Sequence, residues 1–118
     1  MTEYGLYLVN MTGKSGLTGK SGLKSFYERF NDNVIRVKAN NITEVKKKAI
    51  HHLMVQPNPI MLNHSVVICT LHTIRDKVIP SREIGSVKFD GRSGEWMYFS
   101  NTTRESTALT LSGYPKHR

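Results

Sequence analysis

The sequence predicts a single α+β domain. Three observations carry that expectation: apolar residues alternate with period two in several separate stretches, helix-period stripes occur in two places between them, and no Pro/Gly-rich linker divides the chain. At 118 residues there is room for one domain. A chain of this size buries roughly two-thirds of the surface its unfolded form exposes, enough for one core without staples. The expected architecture is a mixed or antiparallel sheet with two helices on one face, in the order β-α-β-α-β-β-β.

The opening EYGLYLVNM reads as a strand, with Tyr4, Leu6 and Leu8 on one side and Gly5, Tyr7 and Val9 on the other. It runs into a segment in which Gly-Lys-Ser-Gly-Leu is written twice, at 13–17 and 19–23. Glycine costs backbone entropy in any regular element, so residues 13–22 are expected to form a flexible loop. Leu23, Phe26, Tyr27 and Phe30 follow at i, i+3, i+4, i+7 spacing, an amphipathic helix with Ser21 as its N-cap and Asn31-Asp32-Asn33 as its stop.

NVIRVKA at 33–39 alternates again, with Ile35, Val37 and Ala39 inward and Val34, Arg36 and Lys38 outward. A second helix is expected over NITEVKKKAIHHLMV. Asn41 and Glu44 have capping-box spacing, and Ile42, Val45, Ala49 and Leu53 form its apolar stripe. Lys47, Lys48 and His51 fall on the far side, while Lys46 lies near the stripe and has to snorkel out. QPNP at 56–59 stops the helix, because proline lacks an amide and constrains its predecessor.

SVVICTLHTI at 65–74 is almost unbroken in β-branched and apolar residues and reads as a central strand covered on both faces. RDKVIPSRE is expected to be a connection with a short edge strand near Val78. IGSVKFD and EWMYFSN flank Gly91-Arg92-Ser93-Gly94 as an antiparallel hairpin with Arg92 near its tip. STALTLS adds a last short strand, and 113–118 forms a loose tail. The predicted core is Leu6, Leu8, Phe26, Phe30, Ile35, Val37, Val45, Leu53, Ile68 and Leu71.

Charge is the strongest functional signal. Seventeen Lys and Arg against nine Asp and Glu give a net charge of +8, the balance of a chain that binds phosphate-rich partners. No apolar run approaches the length of a membrane span, the N-terminus lacks the pattern of a signal peptide, and the lone Cys69 suits a reducing compartment. A cytoplasmic protein is expected.

The doubled Gly-Lys-Ser segment sits between a strand and a helix, the context of a phosphate-binding P-loop, but the spacing fails. A G-x-x-x-x-G-K-[ST] run ending at Ser21 needs glycine at 14, where the chain has Lys14. Its simpler use is a glycine loop whose lysines, Lys14, Lys20 and Lys24, meet phosphates with no acidic residue between 4 and 27. Lys46, Lys47 and Lys48 form a second basic feature, in a stretch with no acidic residue from Val45 to Ile74. Arg92 is a third candidate for meeting phosphate.

Other chemistry finds no pattern. Cys69 and His72 have a zinc-like offset, yet an offset of three puts them on opposite faces of a strand. No local signature surrounds a nucleophile, so no catalytic, metal or cofactor residues are assigned. Trp96 and Tyr98 share one face of their strand and Met97 and Phe99 the other, and the pair turned away from the core could stack bases.

The leading expectation is a non-enzymatic nucleic-acid-binding protein that contacts phosphates through the Gly-Lys-Ser loop and the lysine helix. DNA and RNA are not distinguished, and base specificity is limited, since no recognition-helix or zinc-finger pattern is present. The alternative is a small basic inhibitor or adaptor docking on an acidic protein. A third is a binder or enzyme for a phosphorylated small molecule.

Overall fold

A computed structural model describes residues 1–10 and 34–116. The Gly-Lys-Ser segment and the helix expected after it, with Phe26 and Phe30, lie outside the described residues. Strand β1 (Thr2–Asn10) is followed by β2 (Ile35–Ala39), helices α1 (Ile42–Met54) and α2 (Asn58–Asn63), then β3 (His64–Ile74), β4 (Lys77–Asp90), β5 (Glu95–Ser100) and β6 (Ser106–Leu109). The strands form one antiparallel sheet in the order β2-β1-β3-β4-β5-β6.

Helix α1 starts where its side chains can satisfy orphan amides. The Asn41 side chain accepts the Glu44 amide at 2.9 Å, and the Glu44 carboxylate reaches back to the Asn40 amide at 2.6 Å, one residue before the cap. It ends with the Val55 amide on the His51 carbonyl, just before Pro57. Its stripe of Val45, Ala49, Ile50 and Leu53 is buried against Leu6, Ala39, Val66, Ile68, Val87, Trp96, Tyr98 and Leu109 from the sheet. Burial of each Val, Leu and Ile side chain in this set contributes about 1.5–3 kcal/mol, so this layer is the principal core.

Among the described residues a further helix, α2, follows α1 where only a stop was expected. Pro57 and Pro59 stop α1 as expected, yet proline also suits the first turn of a helix, and α2 begins there. It lies against β4 and β3, with Met61 packed on the core.

The opposite sheet face holds a smaller cluster of Tyr7, Val67 and Cys69, with Val9, Val34 and Leu71 packed on it. The Tyr7 hydroxyl donates to the Glu83 carboxylate, and the Cys69 thiol donates to the Gly5 carbonyl at 3.6 Å. Strand β3, third of the six described strands across the sheet, is buried from Ser65 to Cys69, as expected of a central strand.

The stretch after β3 departs from expectation. Instead of a connection with one edge strand, β3 and β4 form a long hairpin turning at Arg75 and Asp76, both at positive φ (51° and 67°). A tight hairpin turn demands that geometry and ordinarily uses Asn or Gly, so Arg-Asp gives no sequence signal. Pro80 sits in β4 beside one of two register shifts, where the interrupted ladder tolerates its missing amide.

Two other expectations are corrected. Ile35 is not core: it is 38% exposed at the sheet edge, while Val37 and Ala39 on the same side pack on the core. Leu8, Val37 and Leu71 are half-buried. Residues 113–116 are not loose. Leu109 bridges to Pro115, the Lys116 amide donates to the Ala108 carbonyl at 2.8 Å, and Lys116 pairs with Glu95 at 3.6 Å.

Gly113 closes this turn at φ +89, and a Cβ there would overlap the Thr43 carbonyl oxygen in the first turn of α1. Gly113→Ala is therefore expected to cost roughly 2 kcal/mol or more, lowering the melting midpoint by roughly 5–10 °C in a thermal scan.

Candidate functional site

Helix geometry sorts the three consecutive lysines of α1. With the Val45–Leu53 stripe against the sheet, Lys47, Lys48 and His51 are exposed on the outer side. Lys46 stays beside the stripe. Its ammonium lies 4.1 Å from the centroid of the Tyr98 ring, and burial lowers its pKa from the ordinary lysine value. The Tyr98 hydroxyl donates to the Ile84 carbonyl at 3.1 Å, which fixes the ring under the ammonium, and burial raises the phenol's pKa. Lys46 thus belongs to the packing of α1 on the sheet, and the outward polar group is Lys47, Lys48 and His51.

These residues border a cleft of about 420 Å³ between α1 and β2. Ile35, Val37 and Val55 supply its apolar surface, and Lys47, Lys48, His51 and His52 its polar one. A second hollow of about 410 Å³ shares Ile35 and His52 and extends past Leu8, Val34, Gln56 and Ile60. Among the described residues no carboxylate lines either. His52 is held to the neutral imidazole, its pKa lowered by burial and then by the neighbouring His51.

Arg92 occupies the tip of the β4–β5 hairpin, on a different element, as the sequence predicts. Asp90 organises that turn: its carboxylate accepts the Arg92 amide and the Ser93 hydroxyl, each at 3.0 Å, and these bonds hold its pKa below the usual carboxylate value. Gly94 takes φ +74 and donates its amide to the Asp90 carbonyl at 2.8 Å. The structure therefore brings Lys47 and Lys48 together, turns Lys46 inward and sets Arg92 on the hairpin. Lys14, Lys20 and Lys24 lie outside the described residues.

Base stacking by Trp96 and Tyr98 is excluded by their burial under the helices, where Trp96 also packs on Phe89 at 5.1 Å between ring centroids. Phe99, on the other face, is 40% exposed. Cys69 is fully buried, and desolvation pushes its thiol up to about 11, which leaves it un-ionised at neutral pH. Among the described residues no three His, Cys, Asp or Glu side chains gather as metal ligands. Two features escape a sequence reading: the edge position of β2 and the apolar cleft beside it. Periodicity puts Val55 at the end of a helix, and nothing in the pattern shows that it stands 61% exposed beside Ile35.

No family model, curated protein or solved structure matches this chain.

The three lysines should separate in a mutational series. Lys46→Ala is expected to destabilise the fold by about 0.5–1 kcal/mol, because the ammonium and its stem no longer cover the Tyr98 ring. Lys47→Ala and Lys48→Ala are expected to stay within about 0.5 kcal/mol of the parent. Urea unfolding of the single variants reads the difference.

Proposed function

We propose that the protein is a non-enzymatic nucleic-acid-binding protein that holds the phosphate backbone. The observation that supports this reading best is the exposed set Lys47, Lys48 and His51 on α1, within a stretch that carries no acidic residue from Val45 to Ile74. Lysines on the outer side of a helix meet phosphates as point charges, and each neutralised phosphate releases a condensed counterion. The net charge of +8 adds a long-range attraction for any polyanion. Lys14, Lys20 and Lys24 in the glycine-rich segment and Arg92 on the hairpin are the further phosphate-binding groups of this reading. Lys46 is not among them, because Tyr98 already holds its ammonium.

Phosphate binding of this kind positions a protein on a strand without reading its sequence, so the binding is broad. No described helix is long and apolar enough to cross a membrane. The single thiol, buried and protonated, fits the reducing cytoplasm, which is the location we propose.

A second reading, docking on an acidic protein, is favoured by one specific observation. The cleft beside α1 has an apolar floor, which phosphate binding alone does not use.

The nucleic-acid reading is tested by replacing Lys47 and Lys48 together with alanine and measuring binding to unrelated duplexes over a range of salt. Affinity should fall for all sequences alike, and the slope of log affinity against log salt should become shallower by about 0.9 for each phosphate no longer neutralised. An unaltered slope, or absence of any shift with the parent protein at low salt, contradicts the reading.

A further inference from the structure

We infer that the outer edge of β2 is a docking site for an extended segment of a partner protein in which apolar and acidic residues alternate. Strand β2 ends the sheet: β1 pairs with one side of it, and among the described residues no strand pairs with the other. An open strand edge presents a row of backbone donors and acceptors that an incoming strand can use directly, with pockets beside the edge reading alternate side chains.

The two faces of β2 specify different side chains in that strand. On the helix side, Ile35 and Val37 line the cleft with Val55 across it, and Ile35 and Val55 are 38% and 61% exposed. Side chains of an added strand that point this way enter the cleft of about 420 Å³, and apolar ones would remove these residues from water. On the opposite face, Arg36 and Lys38 are both exposed. Cross-strand neighbours on one face interact directly, so the intervening residues of the added strand are best acidic. Arg36 meets Glu3 only at 4.0 Å with both side chains partly in solvent, so this ion pair leaves the cation open to a second carboxylate. Lys47 and Lys48 at the cleft rim add charge of the same sign, and among the described residues no carboxylate lines the cleft to oppose it.

This pattern selects against a second copy of the chain. Pairing β2 with β2 would set Arg36 and Lys38 of one copy among those of the other, and like charges across a strand pair are destabilising. A polynucleotide cannot complete a β-ladder with the backbone of β2. An alternating apolar and acidic strand satisfies the ladder, the cleft and the charges together.

The site rests on Arg36, Lys38 and the apolar cleft residues Ile35, Val37 and Val55, with Lys47 and Lys48 only at its rim, while the nucleic-acid reading rests on Lys47 and Lys48, so each can fail without the other. The test uses the full chain and a short fluorescein-labelled peptide in which valine and glutamate alternate, followed by anisotropy. Two control peptides have the same composition sorted into blocks, or lysine in place of glutamate. The alternating Val/Glu peptide should bind about tenfold or more tightly than the block peptide, since only it can pair on both faces at once. Arg36→Glu with Lys38→Glu, both at exposed positions, should lose about tenfold for the Val/Glu peptide and gain binding of the Val/Lys peptide. N-methylation of alternate peptide amides that face β2 should abolish binding, because it removes the ladder donors. Equal binding of the alternating and block peptides, no binding of the alternating peptide, or preference that fails to swap with the reversed charges overturns the inference. A peptide displaced by a single-stranded oligonucleotide with no change in the Arg36/Lys38 double variant would likewise overturn it, by assigning the binding to charge at Lys47 and Lys48.

Discussion

The outward lysines and the apolar cleft both depend on how α1 is laid across the sheet. Val45, Ala49, Ile50 and Leu53 are committed to Leu6, Val66, Ile68 and Val87, which leaves the helix no rotational freedom. Three successive residues, Lys46, Lys47 and Lys48, are therefore spread over roughly 200° of the helix surface. The first falls over Tyr98 and becomes part of the fold, while the other two face solvent. A rotation of one residue would exchange these roles and carry a lysine into the core.

The same placement creates the cleft. Over Val37 and Ala39 the sheet edge packs with the helix layer, but Ile35 and Val55 remain partly bare on either side of the gap. Both ends of α1 are fixed. Asn41, Glu44 and the buried Gly113 turn hold the first, and the Val55 and Gln56 amides close the second on His51 and Leu53. Cations on so anchored a helix are presented in a set geometry rather than on a fraying end, which reduces the entropy lost when they meet a partner.

Where apolar periodicity is strong and local, the sequence is readable: β1, β3, the hairpin through Gly91–Gly94, and α1 with its cap and proline stop all follow from pattern and turn chemistry. Its failures share a cause. The Arg75-Asp76 turn lacks the residues that usually mark positive φ, α2 is too short for periodicity and begins on prolines, and the tail is held by tertiary interactions invisible to any local window. The cationic side of α1 is legible because it follows from helical phase. The withdrawal of Lys46 becomes legible only once Tyr98 is placed beneath it. Which strand lies at the edge is a property of topology, so the alternation in NVIRVKA shows two faces of β2 but not that, among the described strands, one of its flanks is unpaired. The cationic helix surface can therefore be anticipated from the sequence, and the strand-docking site cannot.

The proposal that partners meet the outward side of α1 is tested most directly by titrating isotope-labelled protein with a mixed-sequence oligonucleotide at low salt and following amide chemical shifts. The largest shifts should lie along α1 at Lys47, Lys48 and His51, weakening together as salt is raised, while the buried Cys69 region on the sheet face away from α1 stays still. Shifts centred on the sheet face that carries Phe99, with the amides of α1 unmoved, would contradict it.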